Sequence, residues 1–398
     1  MPKLSLCMIV KNEEANLAKC LESVKDVVDE MIVMDTGSTD RTVDIAQEFG
    51  AKVPFFTWCD NFSTARNEAL KFVTGDWVLV LDADETLERK IVPQIKEIMN
   101  NEDALVINFI RHEIGAAQSP YSLVSRLFRS HPKLYFTRPY HSLIDDSATQ
   151  LMKVEPHWKV IDLPAIGMLH YGYQAEFIKS LNKYERARKA MEGFWQKHPH
   201  DPYVCSKLGA LYLQIGQTEK GLKLLKQGIK ANTADFNVIY ELHYSLGNAY
   251  TKQQKIEQAV KHYQKAIAQP IIDPLKLGAY NNLGGLLQAI GDLQNAKKAY
   301  EVTIKIDPNF STGYYNLGML LKGMGNLPEA VKHYQKAISI NPEYAEAYQN
   351  LGVVFFKLGY LAESQAAFKE AITLHEAQNP EQAEKLRSGL NELGMLPN

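Results

Sequence analysis

Trp77-Val78-Leu79-Val80-Leu81-Asp82-Ala83-Asp84-Glu85 is the stretch on which the N-terminal half turns. Its opening apolar run reads as a strand buried on both faces, the kind found inside a parallel sheet covered by helices. The run then stops abruptly in carboxylates. A strand that ends this way sets Asp82 and Asp84 at its carboxyl end, the edge where open α/β sheets bind ligands. Two carboxylates one residue apart, with no basic neighbour before Arg89, repel each other unless a cation lies between them. Hard oxygen donors of this kind suit Mg²⁺ or Mn²⁺. The same residues also read as a solvated turn or a helix N-cap.

The surrounding sequence repeats the plan. Apolar runs at residues 4–10, 31–34, 52–56 and 77–81 alternate with amphipathic segments at 15–24, 42–49 and 64–72. This rhythm predicts strands and helices in alternation and a largely parallel sheet. Two other strand tips carry polar groups, Val10-Lys11-Asn12-Glu13 and Asp35-Thr36-Gly37-Ser38. Gly37 permits a tight turn and Asp40 reads as a helix cap, which leaves Asp35 as the ligand candidate. Arg66 is expected near a helix start, where its charge and the helix N-terminus both attract phosphate. Residues 103–173 mix alternation at 104–110 and 122–128 with turns, and a few antiparallel strands are expected there.

The C-terminal half has another period. Gly209, Gly247, Gly284, Gly318 and Gly352, each preceded by Leu, are separated by 38, 37, 34 and 34 residues. A step of 34 is the tetratricopeptide period. Tyr280, Tyr314 and Tyr348 recur at one offset, then Ala296, Ala330 and Ser364, then Tyr300, Tyr334 and Phe368. Small residues let paired helices approach, the aromatic fills the groove, and Pro308 and Pro342 stop the second helix. Gly221 and Gly228, where Ala is usual, and longer connections around Pro270 and Pro274 make the first two repeats looser. His198-Pro199-His200-Asp201-Pro202 marks a boundary before them. The expected domains are 1–173, a linker helix over 174–201, repeats over 202–378 and a capping helix over 379–398.

The 398 residues carry 44 basic and 46 acidic side chains, so no global field favours nucleic acid or anionic lipid. The apolar runs, such as 77–81 and 353–356, are far below the roughly 20 residues of a membrane span. The N-terminus reads as a strand rather than a secretory signal, which makes the cytoplasm the default compartment. Cys7, Cys20, Cys59 and Cys205 form no Cys-x-x-Cys pair and are expected to be small buried residues.

Over residues 3–85 the chain resembles the family-2 glycosyltransferases of the GT-A fold. The resemblance implies an α/β nucleotide-diphospho-sugar transferase domain, here followed by an all-α tetratricopeptide solenoid, an arrangement similar to that of some peptide S-glycosyltransferases. It implies that Val10, Asn12, Glu13, Asp35, Arg66, Asp82 and Ala83 line the nucleotide-sugar side. Asp82 and Asp84 would form the D-x-D motif that uses Mg²⁺ or Mn²⁺. His170, in Leu169-His170-Tyr171-Gly172-Tyr173, is similar to a late His-x-Gly-Tyr element that completes the metal shell or closes over the diphosphate. A structural histidine is the other reading.

Related enzymes often carry His-Glu where this chain has His141-Ser142. That departure leaves Asp145, Asp146 and His141 as candidates for the catalytic base, with a plain hairpin turn as the alternative. Lys11, Arg126, Arg129 and Arg138 are further groups able to meet phosphate. The expected activity is inverting transfer of a hexose or N-acetylhexosamine from a UDP-type donor, with a protein or peptide acceptor or partner in the repeat groove. The alternative is a non-catalytic repeat scaffold that senses a nucleotide sugar. A nucleotidyltransferase fits less well, because there is no Gly-rich phosphate loop.

Overall fold

The computed structural model describes residues 2–116, 119–140, 142–172, 181–233, 235–392 and Gly394. His141 and residues 173–180 lie outside the described residues, so the expectation for His141 and the start of the linker helix do too. Two compact units divide the chain, residues 1–245 and 246–398.

In the first unit the strands are β1 (Leu4–Val10), β2 (Glu30–Asp35), β3 (Trp77–Val80), β4 (Glu85–Leu87), β5 (Ala104–Glu113), β6 (Tyr121–Arg129) and β7 (Lys159–His170). They form one seven-stranded sheet in the order β2-β1-β3-β6-β5-β7-β4. β1 pairs in parallel with β2 and β3, so Val10, Asp35 and the end of β3 emerge at one edge. β6 runs antiparallel to β3 and β5, β7 parallel to β5, and β4 antiparallel to β7.

Strand alternation sends Leu6 and Met8 to one face and Cys7 to the other. On the first face they meet Leu17, Leu21 and Val24 of α1 (Leu17–Val24). On the second, Cys7, Val78, Val80 and Phe128 meet Ala69 of α3 (Phe62–Leu70) and Ala148 and Leu151 of α5 (Asp145–Val154). α2 (Thr42–Glu48) and α4 (Val92–Met99) complete the covering helices. Each fully buried Leu, Val or Phe side chain contributes about 1.5–3 kcal/mol relative to exposure. That is why apolar runs, not alternating ones, mark these strands.

Three expectations are corrected here. Residues 52–56 make only isolated bridges, Lys52 to Ile32 and Phe55 to Asp35. Pro54 lies between them and has no N–H to extend a ladder. Thr137 and Leu143 exchange backbone hydrogen bonds across one antiparallel bridge, as a hairpin turn would, but the strands expected through this region give way to α5, which begins at Asp145. Cys59 is exposed, whereas Cys7, Cys20 and Cys205 are buried.

Three helices and part of a fourth also belong to the first unit. α6 (Leu181–Lys197) packs on α7 (Pro202–Gln214), and α7 pairs with α8 (Thr218–Lys230). Asp201 caps α7 by accepting from the Val204 backbone N–H at 3.0 Å. The unit boundary falls inside α9 (Phe236–Lys252), so the first repeat pair groups with the sheet.

The second unit continues with α10 (Ile256–Ile267), α11 (Asp273–Ala289), α12 (Leu293–Ile306), α13 (Ser311–Gly323), α14 (Leu327–Ile340), α15 (Ala345–Leu358), α16 (Leu361–Gln378) and α17 (Pro380–Glu392). Its recurring Leu-Gly pairs acquire a physical reason. A Cβ on Gly284 would lie 2.7 Å from the Tyr300 ring, and Gly247, Gly318 and Gly352 face Tyr263, Tyr334 and Phe368 in the same way. Only a residue without a side chain admits that aromatic at each crossing. Among the described residues, no helix is long and apolar enough to cross a membrane.

Candidate active site

Beyond β1 the chain turns through Asn12, which adopts φ 55°. Its side-chain oxygen accepts from Thr39 N–H at 2.7 Å, and its own N–H donates to Ser38 Oγ at 2.9 Å. Beyond β2, Asp35 is buried and accepts from the N–H groups of Gly37 and Ser38 at 3.1 and 3.0 Å. Gly37, at φ 103°, takes a conformation open to glycine. Asp40 accepts from Thr42 and from Glu14 N–H, which ties the two tips together. Burial raises the Glu13 carboxyl above its ordinary range, with Asp84, Asp82 and Asp40 adding to the effect. The tips of β1 and β3 therefore share one field.

Asp82 follows β3, and two guanidinium groups meet its carboxylate. Arg66 Nη2 donates to Oδ1 at 2.7 Å and Arg126 Nη2 to Oδ2 at 2.5 Å. Burial alone would raise its pKa, but Arg126 and Arg66 outweigh that and hold it well below the usual carboxylate range. The cation that the acidic pair demands is thus arginine at Asp82. Arg66 lies in the second turn of α3 rather than at its start, and it is buried. Its Nε and Nη1 have no hydrogen-bond partner.

From Asp82 the charges alternate through the sheet. Arg126 Nη2 also reaches Glu85 Oε1 at 3.0 Å, and Arg111 Nη1 reaches the same oxygen at 2.7 Å. Arg111 Nε donates to Glu113 Oε1 at 2.9 Å. Glu113 Oε2 meets His170 Nδ1 at 2.5 Å, and His170 Nε2 lies 3.2 Å from Asp84 Oδ2. Burial opposes charge on His170, but Asp84 and Glu113 outweigh it and lift its pKa to about 9. Burial likewise opposes ionisation of Glu113, which His170, Arg111 and Ser122 nevertheless hold at about 2.

Local geometry aims these groups. The register of β5 and β6 slips so that Ile107 faces Leu127 and Asn108 faces Ser125, leaving Arg126 as the extra residue of a bulge. Bulges bend a strand and re-aim a side chain. In β7, His170 pairs with Glu113 on one side and Glu85 on the other.

Among the described residues, no group of three or more His, Cys, Asp and Glu is arranged to hold a metal ion. Asp84 and His170 nevertheless fit a Mg²⁺ or Mn²⁺ that takes few protein ligands and completes its shell with phosphate oxygens. A Cβ on Gly172 would lie 2.6 Å from His170 Nε2 and 2.8 Å from Asp84 Oδ2, so only glycine fits against this pair. Both oxygens of Asp82 already face arginine, which separates it from that pair.

The base candidates part company. Arg138 Nε and Nη2 bond both oxygens of Asp146 at 2.8 and 3.0 Å, and Thr137 also donates to it. Asp145 accepts from Ser125 Oγ at 2.6 Å, while its Oδ2 is buried without a partner, as is Ser142 Oγ. Burial raises the Asp145 pKa. Arg138, at φ 69°, also bonds Asp201 and lies 4.4 Å from the Tyr203 ring centre, joining the sheet to α7. Arg129 is structural: it donates to the carbonyls of Ala104 and Asn101 and stacks over Trp77. Lys11 is exposed.

Glu85, Arg111 and Glu113 had escaped the sequence reading, though Arg111 and Glu113 stand two apart at the end of an apolar strand, a spacing that sets them on one face. The family described as Glycosyl transferase family 2 matches residues 5–161, and tetratricopeptide repeat families match segments from residue 180 to 377. A TPR repeat-containing protein of Synechococcus elongatus is 42% identical over 308 residues, covering 77% of this chain and 76% of that protein. Glycosyltransferase SunS of Bacillus subtilis is 27% identical over 59% of this chain and 55% of its own length. A glycosyltransferase of Rickettsia typhi is 42% identical over 26% of this chain and 36% of its own. The chain belongs to the proteins that join an N-terminal glycosyltransferase family 2 domain to C-terminal tetratricopeptide repeats.

Proposed function

We propose that this protein transfers a glycosyl group, with inversion, from a nucleoside-diphosphate sugar to an acceptor presented by its repeats. A UDP-hexose or UDP-N-acetylhexosamine is the donor class, and a protein or peptide is the acceptor class. The observation that carries the proposal is Arg66, buried beside Asp82 with two guanidinium nitrogens, Nε and Nη1, unpartnered. A buried guanidinium in that condition is built to meet an anion, and its planar fork matches phosphate oxygens.

In this reading Asn12, Glu13 and Asp35, with the backbone at Val10 and Ala83, hold the nucleoside beside Asp82. Arg66 steadies the diphosphate. Bound Mg²⁺ or Mn²⁺, held by Asp84 and His170, would neutralise charge on the leaving diphosphate. Asp145 is the base: its raised pKa and unpartnered Oδ2 suit proton acceptance. The acceptor heteroatom bonds the anomeric carbon as the bond from that carbon to phosphate oxygen breaks. The acceptor proton passes to Asp145 and the nucleoside diphosphate leaves. Ser125, which positions Asp145, directly precedes Arg126, which positions Asp82.

Release of UDP from UDP-sugars with Mn²⁺ and a peptide library, compared between the native protein and Asp84→Ala, tests the proposal. The expected result is metal-dependent release that the variant loses with its helical signal intact. Binding of UDP-sugar without turnover on any acceptor would favour a sensing scaffold instead, and pyrophosphate as product would make it a nucleotidyltransferase.

A further inference from the structure

We infer that Glu113 is a positioning residue that fixes the tautomer of His170, so that Nε2 rather than Nδ1 presents its lone pair beside Asp84. The inference rests on the metal-dependent reading above. Glu113 and His170 are register partners on β5 and β7, which sets the carboxylate alongside the ring. One carboxylate oxygen is fully committed: Oε1 accepts from Arg111 Nε at 2.9 Å, from Arg111 Nη2 at 2.8 Å and from Ser122 Oγ at 2.6 Å. Those donors pin the carboxylate and leave Oε2 to accept from His170 Nδ1 at 2.5 Å. A neutral imidazole that donates through Nδ1 must carry its lone pair on Nε2. That nitrogen lies 3.2 Å from Asp84 Oδ2, and a Cβ on Gly172 would collide with both atoms. A carboxylate behind a histidine, fixing ring and tautomer, is how proteins prepare an imidazole to ligate a metal.

The same donors make Glu113→Gln a sharp test. The bonds that Arg111 and Ser122 make to Oε1 survive only if the amide oxygen takes its place. The amide NH₂ then faces Nδ1 and donates to it, which drives the ring proton to Nε2. ¹⁵N NMR of the imidazole at alkaline pH, where the ring is neutral, is expected to show the Nδ1–H form in the native protein and the Nε2–H form in the variant. Mn²⁺ binding, followed by the electron paramagnetic resonance of the free ion, is expected to weaken roughly 10- to 100-fold. Glu113→Ala is the second variant should Gln fail to fold, with a mixture of tautomers expected.

An unchanged Nδ1–H form with unchanged Mn²⁺ affinity in a folded variant overturns the inference. A native protein that binds no Mn²⁺ removes the metal from the proposed function. The tautomer measurement still decides the role of Glu113 in that case.

Discussion

Arg126 and Asp82 meet at 2.5 Å, although 44 residues separate them, Arg126 on β6 and Asp82 just beyond the end of β3. Arg126 also serves Glu85, whose side chain is fully buried. Removing the guanidinium leaves that carboxylate with Arg111 as its remaining ion-pair partner. Breaking such a buried pair costs about 3 kcal/mol. Arg126→Ala is expected to lower the unfolding free energy of the N-terminal unit by this order, read by denaturant titration, and to weaken UDP binding. A stable variant with native UDP affinity would contradict the role given to the alternating charges.

Asp145 connects stability with catalysis. Burial places its folded pKa above the unfolded value, so its contribution is fully present below the unfolded pKa and lost as pH rises through the folded one. Above the unfolded pKa the raised value therefore costs stability. Asp145→Asn removes the charge and is expected to leave the protein as stable as the native one, or more so, at pH 7. Turnover is expected to fall roughly 10²- to 10⁴-fold. Thermal melts paired with product analysis check both halves.

His170 gives the complementary pH dependence in protein without divalent metal. Its folded pKa of about 9 lies above the ordinary 6.5. The stability it contributes is complete below 6.5 and is lost as pH rises through about 9. His170→Gln is expected to flatten the stability profile across that window, measured by denaturation at a series of pH values. An unchanged slope would show that the ring does not carry the proton between Asp84 and Glu113.

The repeats make a packing prediction. Gly284→Ala gains about 1 kcal/mol of helix propensity, yet its Cβ would lie 2.7 Å from the buried ring of Tyr300. Overpacking of this kind costs about 1–3 kcal/mol, so the variant is expected to melt lower than the native protein. Tyr300→Leu in the same chain should restore part of the loss.

These contrasts explain what the sequence made legible. The repeats announced themselves because Gly284 and Tyr300, 16 residues apart, must recur wherever two helices cross closely. The parallel strands were visible because burial on both faces demands continuous apolar runs, as at residues 77–80. Asp35, Asp82 and Asp84 stood out as charges at the ends of such runs. Arg126 did not reveal its partner, because antiparallel pairing with β3 and a one-residue bulge in β6 place it there. Nothing local to residue 126 encodes either. Residues 52–56 were misread as a strand and the helix starting at Asp145 was missed for a related reason, since tertiary pairing rather than local pattern sets where those segments go.

Calorimetric titration of UDP into the native protein, with and without Mn²⁺ and repeated for Arg66→Ala and Asp84→Ala, tests whether the strand tips and Arg66 form one diphosphate site. Mn²⁺ is expected to strengthen binding to the native protein, Asp84→Ala to abolish this enhancement, and Arg66→Ala to weaken binding whether or not the metal is present. UDP binding that ignores Mn²⁺ and both substitutions would contradict that single site.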